Sequence, residues 1–363
     1  GTGTRVPGFA PGGFTNRELT WETNTQTDVG LDVGFFDQRI LLTADAYVRQ
    51  TTGLLNNRPL PSLVGYATSV QANIGNIENK GLELALETRN TTGALRWTTT
   101  ANIAFNRNKV VSLVNDQSLF FTSLFGWPNN IRVVPGRPLG DFYGYIQDGV
   151  FRNQAEVDAG PKWVAGSQPG DIKYRDINGD NQITEADIVQ IGNALPKFTY
   201  GITNTLTYKG FDLNVVIQGV QGVDLINGTN RYSDAFSGVF NVRTNALNRW
   251  RSESDPGDGW TPRANQATTG NNAAFSTRHV FDASYLRVRT VTLGYTLSNA
   301  LLQKARLQSA RVYVSGQNLL TLTKYFGYNP EGSIYGENSV LLGVDQGAYP
   351  LARTLTLGLN LGF

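Results

Sequence analysis

Leu351-Ala352-Arg353-Thr354-Leu355-Thr356-Leu357-Gly358-Leu359-Asn360-Leu361-Gly362-Phe363 ends the chain, and its reading decides the fold. The odd positions from Leu355 are Leu355, Leu357, Leu359, Leu361 and Phe363. The even positions are Thr354, Thr356, Gly358, Asn360 and Gly362. In a β-strand successive side chains point to opposite faces, so one face is an apolar wall and the other is small and polar. The same alternation recurs upstream. Val29, Leu31, Val33 and Phe35 oppose Asp28, Asp32 and two glycines. Ile40, Leu42, Ala44, Ala46 and Val48 oppose Thr43, Asp45, Tyr47 and Arg49. Leu82, Leu84 and Leu86 oppose Glu83 and Glu87, and Leu95, Trp97, Ala101, Ile103 and Phe105 oppose Arg96, Thr98, Thr100 and Asn102. Phe198 to Tyr208 and Phe211 to Ile217 flank a Lys209-Gly210 turn, and Val291 to Leu297 and Val312 to Gln317 complete the set. Only Asn299 to Leu307 reads as a short helix.

Many of these strands are about 10 to 12 residues long, against a mode of about 5 to 6 in globular sheets. Roughly 9 to 11 residues cross a bilayer at a tilt. The polar faces are mostly Thr, Gly, Asn, Gln and Ser, which suits a wet or plugged lumen better than the charged surface of a sandwich. Aromatics sit near strand ends, at Phe35, Phe36, Phe105, Phe198, Tyr208, Phe211 and Phe363, where girdles would lie. The links alternate in length: short at 36–39, 90–94, 209–210 and 298–308, long at 51–79, 107–196, 222–284 and 321–349. Short periplasmic turns and long outer loops give this rhythm, with nine crossings and the C-terminus in the periplasm. A β-helix or a large carbohydrate-binding sandwich remains the soluble alternative, although no fixed repeat is visible.

Composition excludes other classes. The 363 residues include 40 Gly, one His and no Cys, so thiolate chemistry, multi-His metal sites and His-dependent triads have no material. Lys plus Arg total 31 and Asp plus Glu 29, so no overall field attracts nucleic acid. There is no apolar run long enough for a membrane helix, which leaves a barrel open. The chain begins Gly1-Thr2-Gly3-Thr4 without Met or a signal-like stretch, and reads as a mature or internal portion of a longer protein.

Several motifs now carry a family likeness. They are Gly170-Asp171-Ile172-Lys173-Tyr174-Arg175-Asp176-Ile177-Asn178-Gly179-Asp180, then Ile191-Gly192-Asn193 and Pro196-Lys197-Phe198-Thr199-Tyr200-Gly201. Lys209-Gly210-Phe211-Asp212-Leu213, Ser284-Tyr285-Leu286-Arg287, Thr292-Leu293-Gly294-Tyr295 and Val314-Ser315-Gly316-Gln317-Asn318-Leu319 follow, with Leu19-Thr20-Trp21-Glu22 and Asn73-Ile74-Gly75-Asn76-Ile77 upstream. Over essentially its whole length, and with these motifs in the family's order, the chain resembles the SusC-like TonB-dependent outer-membrane transporters of Bacteroidetes. The resemblance implies an all-β antiparallel transmembrane barrel of about 22 strands around an N-terminal plug. Residues 1–363 would be its C-terminal portion, about nine strands, with the plug and first strands absent. Residues 107–196 and 222–284 would be large extracellular loops, and Phe363 the aromatic of the membrane-insertion signal. In the closed barrel the last strand would pair with the first.

The likeness further implies TonB-dependent uptake of a glycan or peptide and a SusD-like lipoprotein lid. It implies contact with the TonB complex through the missing N-terminal region, and it allows a dimer of transporter–lipoprotein pairs. The rival readings are a passive porin-like or structural barrel and a soluble glycan-binding β protein. No nucleophile–base–orienter arrangement supports an enzyme.

Candidate sites are few. Residues 176–187 have the spacing of an EF-hand-like loop, with Asp176, Asn178, Asp180 and Asp187 at positions 1, 3, 5 and 12 and the Gln182 carbonyl at position 7. Hard oxygen ligands at that spacing suit a structural Ca²⁺. Position 6 is Asn181 instead of Gly, and Asp187 is one methylene shorter than Glu. The same residues also read as a turn held by Asx hydrogen bonds. Trp250 and Trp260 in the 222–284 loop could stack on sugar rings or meet a lid; loop packing is the alternative. His279 reads as a surface or hydrogen-bonding residue, with substrate contact as the alternative. Asp28, Asp32, Asp45, Arg49, Glu83, Glu87 and Arg96 fall on the polar faces, where they would brace a plug or line a path.

Overall fold

The structure is a computed structural model that describes residues 15–59, 69–121, 125–163, 165–234, 236, 240–265, 271–298, 302, 307–336, 338 and 340–363. Nine long strands build its main sheet. They are β1 (Thr23–Phe35), β2 (Ile40–Pro59), β3 (Ser69–Thr92), β4 (Leu95–Leu113), β5 (Phe198–Tyr208), β6 (Phe211–Gln221), β7 (Tyr285–Thr296), β8 (Ser309–Thr323) and β9 (Thr354–Gly362). Each pairs antiparallel with its neighbour in chain order, a plain up-and-down meander. These are the nine alternating segments of the sequence. The expected helix at Asn299 to Leu307 lies largely outside the described residues.

Register keeps the two faces separate across the whole sheet. Leu31 sits opposite Ala44, Ala44 opposite Leu84, and Leu84 opposite Ile103. At the other end Tyr295 faces Val312, and Val312 faces Leu359. A one-residue slip anywhere would turn leucines into the lumen. Among the described residues no second sheet covers the apolar face: Val29 is 71% exposed, Leu31 60%, Leu355 77% and Leu357 79%. So large an apolar surface is tolerated only in a nonpolar solvent. The buried leucines that a sandwich requires are therefore not found.

Two aromatic rows bound this belt. Phe211 and Tyr295 pack with ring centroids 4.6 Å apart beside the Lys209-Gly210 turn, whose residues both have positive φ (45° and 88°). That is the two-residue geometry that matches strand twist, and it demands glycine at the second position. At the far end Phe105 and Phe198 lie 5.6 Å apart. Tyr208 and Phe198 bound the same strand. Ten steps of about 3.4 Å at a tilt of about 40° give a height of about 26 Å, the thickness of an outer-membrane apolar band.

One expectation is corrected. Residues 51–79 are not simply a long link, because β2 runs on to Pro59 and β3 starts at Ser69. The 24 residues of β3 extend roughly 80 Å, more than twice a bilayer core. Beyond the belt the ladder carries Asn, Gln and Thr on both faces and shifts register between Thr51 and Leu54 and between Asn76 and Ile77, so period-two alternation disappears.

The long links fold on themselves. Residues 119–121, 131–133, 141–144 and 189–193 form one small sheet, and 224–227, 280–282 and 344–345 another. Three links share a single core in which Phe125, Trp127, Ile131, Phe142, Ile226, Phe275 and Val344 are buried. No further crossing of the main sheet arises within the described residues of 107–196.

Candidate functional site: the lumenal wall and its outer mouth

The face opposite the leucines is a polar wall. Here Asp28, Asp32, Asp45, Arg49, Glu83, Glu87 and Arg96 are brought onto one side with the threonines, as their sequence parity requires. Asp45 stands directly across from Glu83, and Thr43 donates to Asp32 at 2.6 Å. On the same face Asp212 accepts two hydrogen bonds from Arg311, at 2.9 and 2.5 Å, across the intervening Gly294. Tyr47 lies over Gly81 and Tyr313 over Gly358, each ring covering the bare backbone of its cross-strand partner.

Toward the end that carries the long links, β4 to β8 and the link after β8 border a depression of about 930 Å³ whose polar walls include Asn102, Gln218, Arg287, Arg289, Gln317 and Glu331. Arg287 is buried there, donating to Thr321 at 3.0 Å and pairing with Glu331 at 2.5 Å. The Tyr285 hydroxyl also donates to Glu331. Glu331 belongs to the link after β8, so this pair ties a long link to the wall. Arg289 donates to Gln218 at 3.1 Å and remains exposed to the lumen. The arrangement can bind and guide a polar solute. It has no nucleophile next to a base.

The 176–187 loop is shaped by its own hydrogen bonds. Asp176 accepts from the backbone N–H of Gly179 (2.7 Å) and Asn181 (2.8 Å), Asn178 from Asp180 (3.0 Å), and Asp180 from Gln182 (2.8 Å). Buried Asp187 accepts from Ile177 (2.9 Å) and Thr184 (2.8 Å). Asn181 has φ of 61°, the left-handed conformation that position 6 needs. Among the described residues no three acidic or histidine side chains are gathered as metal ligands.

The tryptophans separate. Trp250 is half-buried over Gly170 and donates its indole N–H to the Arg152 carbonyl at 3.1 Å, which makes it part of the loop packing. Trp260 is 45% exposed, while its carbonyl accepts from Gln147. His279 is buried beside Trp127, 4.6 Å between ring centroids, and its Nδ1 accepts from the Ser276 N–H at 3.3 Å. Burial above all, aided by Arg278 and Arg231, pushes it down to about 3, so it is neutral. A histidine held this way braces the core of the long links and does not meet solvent. Phe363 ends the chain exposed, in step with the leucines of β9.

One cavity has no forerunner in the sequence. Trp127, Tyr143, Tyr145, Trp163 and Phe275, with Arg231, help to wall a space of about 410 Å³ among the long links. Its residues come from separate links, so no spacing in the sequence reveals it.

An apolar belt outside, a polar wall inside and girdles at both heights define the wall of an outer-membrane β-barrel. The chain belongs to the TonB-dependent receptor-like β-barrel family, whose model matches residues 1–319. It is 36% identical over 367 residues to TonB-dependent receptor P3 of Formosa agariphila, which covers 99% of this chain and 36% of that protein. It is 28% identical over 354 residues to TonB-dependent receptor SusC of Bacteroides thetaiotaomicron, covering 96% of this chain and 32% of that one. The RagAB peptide importer in its open-open state shares the fold, with a TM-score of 0.78 at 24% identity over 96% of this chain and 35% of the other. The chain thus spans about a third of these relatives, 36% of the first and 32% of the second. Membership implies the outer membrane and a class of receptors and transporters, not enzymes.

Proposed function

We propose that this chain is the C-terminal part of an energised importer. It would supply nine strands of the barrel, the outer loops over its mouth and, at Phe363, the insertion signal, with its C-terminus in the periplasm. The observation that carries this reading is the uninterrupted division of nine strands into a lipid face and a polar face, capped at the outer end by a folded loop region. The depression along β5 to β8 is polar and bordered by two guanidinium groups, and it would bind and guide a polar solute along the wall. A plug upstream would gate it, TonB would drive it, and a SusD-like lipoprotein would cover the mouth, in pairs of transporter and lipoprotein. The cargo would be a glycan or a peptide; RagAB, which shares the fold, is a peptide transporter. Uptake of labelled oligomers by cells carrying the full protein tests this. Uptake should stop when a protonophore removes the energy source, and energy-independent passage would support a porin instead.

Calcium at 176–187 stands as a proposal with its own test. Each carboxylate oxygen that accepts one backbone N–H keeps a second lone pair for a cation. The donors would be Asp176, Asn178, Asp180, the Gln182 carbonyl and Asp187. Titration of EDTA-treated protein with Ca²⁺ should give a saturable heat. No heat would leave the loop to its hydrogen bonds alone.

A further inference from the structure

The cavity of about 410 Å³ among the long links lies within the size range of small-ligand sites, and five aromatic side chains stand in its wall. Tyr145 packs edge-on against Trp163 at 5.2 Å, and Trp127 lies 4.9 Å from Phe275, so the walls are mutually fixed. Arg231 enters this wall. Its Nη1 donates to the Ala273 carbonyl at 2.7 Å, and its guanidinium lies 5.5 Å from the Trp127 ring centre. Among the described residues no carboxylate pairs with it. A half-buried guanidinium with spare N–H donors in an aromatic chamber costs desolvation that an anion would recover. Burial already holds Arg231 below the usual guanidinium range. Glu185 and Thr184 border the same space and offer acceptors to a hydroxyl or amine.

We propose that this cavity binds the end of the transported oligomer through a carboxylate on Arg231 and a ring or apolar face laid against Tyr145 and Trp163. The chemistry is shared by the C-terminal residue of a peptide and by an acidic sugar. The inference rests on the uptake reading for its cargo, but it concerns a site in the loops that shares no lining residue with the lumenal depression. Its occupation would place a first recognition step before the passage.

The full transporter in detergent is titrated by calorimetry, with saturation-transfer NMR for weak binding. The probes are N-acetyl-L-phenylalanine against its amide, and methyl glucuronoside against methyl glucoside. At least one acid should bind, weakening about tenfold or more when its carboxylate is neutralised and again in Arg231→Gln. Preference for the first pair assigns a peptide end; preference for the second assigns an acidic sugar. The probe comparison needs no variant, so it stands even where Arg231→Gln misfolds. No binding by either acid, or binding indifferent to the carboxylate, overturns the proposal. Energy-dependent uptake is measured separately and would survive that failure.

Discussion

Leu357→Arg is the sharpest perturbation of the wall. Leu357 lies near the middle of β9, 79% exposed, opposite Val314 and on the same face as Leu355 and Leu359. On a water-exposed surface this change would fall within about ±0.5 kcal/mol. On the lipid face of a barrel an arginine near the midplane costs about 2–4 kcal/mol. That corresponds to a folded-to-unfolded ratio lower by roughly 30- to 900-fold. Thr356→Lys is the control, one residue away and pointing into the lumen beside Ser315. There the ammonium stays in water, and the cost should be within about 0.5 kcal/mol. The assay is denaturant unfolding of the full protein in phospholipid vesicles, followed by gel mobility and tryptophan fluorescence. Equal costs at the two positions, or a neutral Leu357→Arg, would refute the assignment of faces.

Gly358→Val should destabilise the closing hairpin by about 1–3 kcal/mol, because a Cβ at Gly358 would sit 2.1 Å from the Tyr313 ring; Tyr313→Ser should recover most of that loss in the same unfolding assay. His279 predicts a pH dependence in the outer region. Its folded value, about 3, lies below the ordinary 6.5, so the unfolded chain takes up the proton first. Its contribution is complete above about pH 6.5 and declines by up to about 1.4 kcal/mol per pH unit as pH falls toward 3. Melting between pH 7 and 5 should show that slope, and His279→Phe should remove it. Asp187→Ala leaves the backbone N–H groups of Ile177 and Thr184 without their acceptor and should cost about 1–3 kcal/mol, visible as faster hydrogen exchange across 176–187.

The sequence revealed what repetition encodes. All nine strands were legible because a barrel wall writes its two environments at alternating positions, as in Leu355-Thr356-Leu357-Gly358. The extensions of β2 and β3 past the belt were not, because there no face meets lipid: Ile74 and Ile77 are buried, and Ile77 packs with Val110 and Leu113 against Val133 and Leu139 of the following link, so the apolar positions follow that contact and not a two-residue period. The seven lumenal charges followed from parity alone. The core around Trp127, Phe142, Ile226 and Val344 did not, since each residue comes from a different stretch and meets the others only through three folded links. His279 shows the same limit: one histidine between Arg278 and Val280 gives no sign that it will be buried against Trp127. Arg231 and its chamber were likewise invisible, because their residues share no period and no motif.

The central claim is that one face of these strands is dissolved in hydrocarbon and the other looks into a polar passage. The chain has no cysteine of its own, so single cysteines can be placed from Thr354 to Gly362 in a full protein otherwise free of cysteine and spin-labelled in lipid vesicles. Relaxation by oxygen, which concentrates in lipid, should peak at 355, 357, 359 and 361, and relaxation by a water-soluble nickel complex at 354, 356, 358, 360 and 362. Profiles without a two-residue period, or with the phases exchanged, would contradict the account.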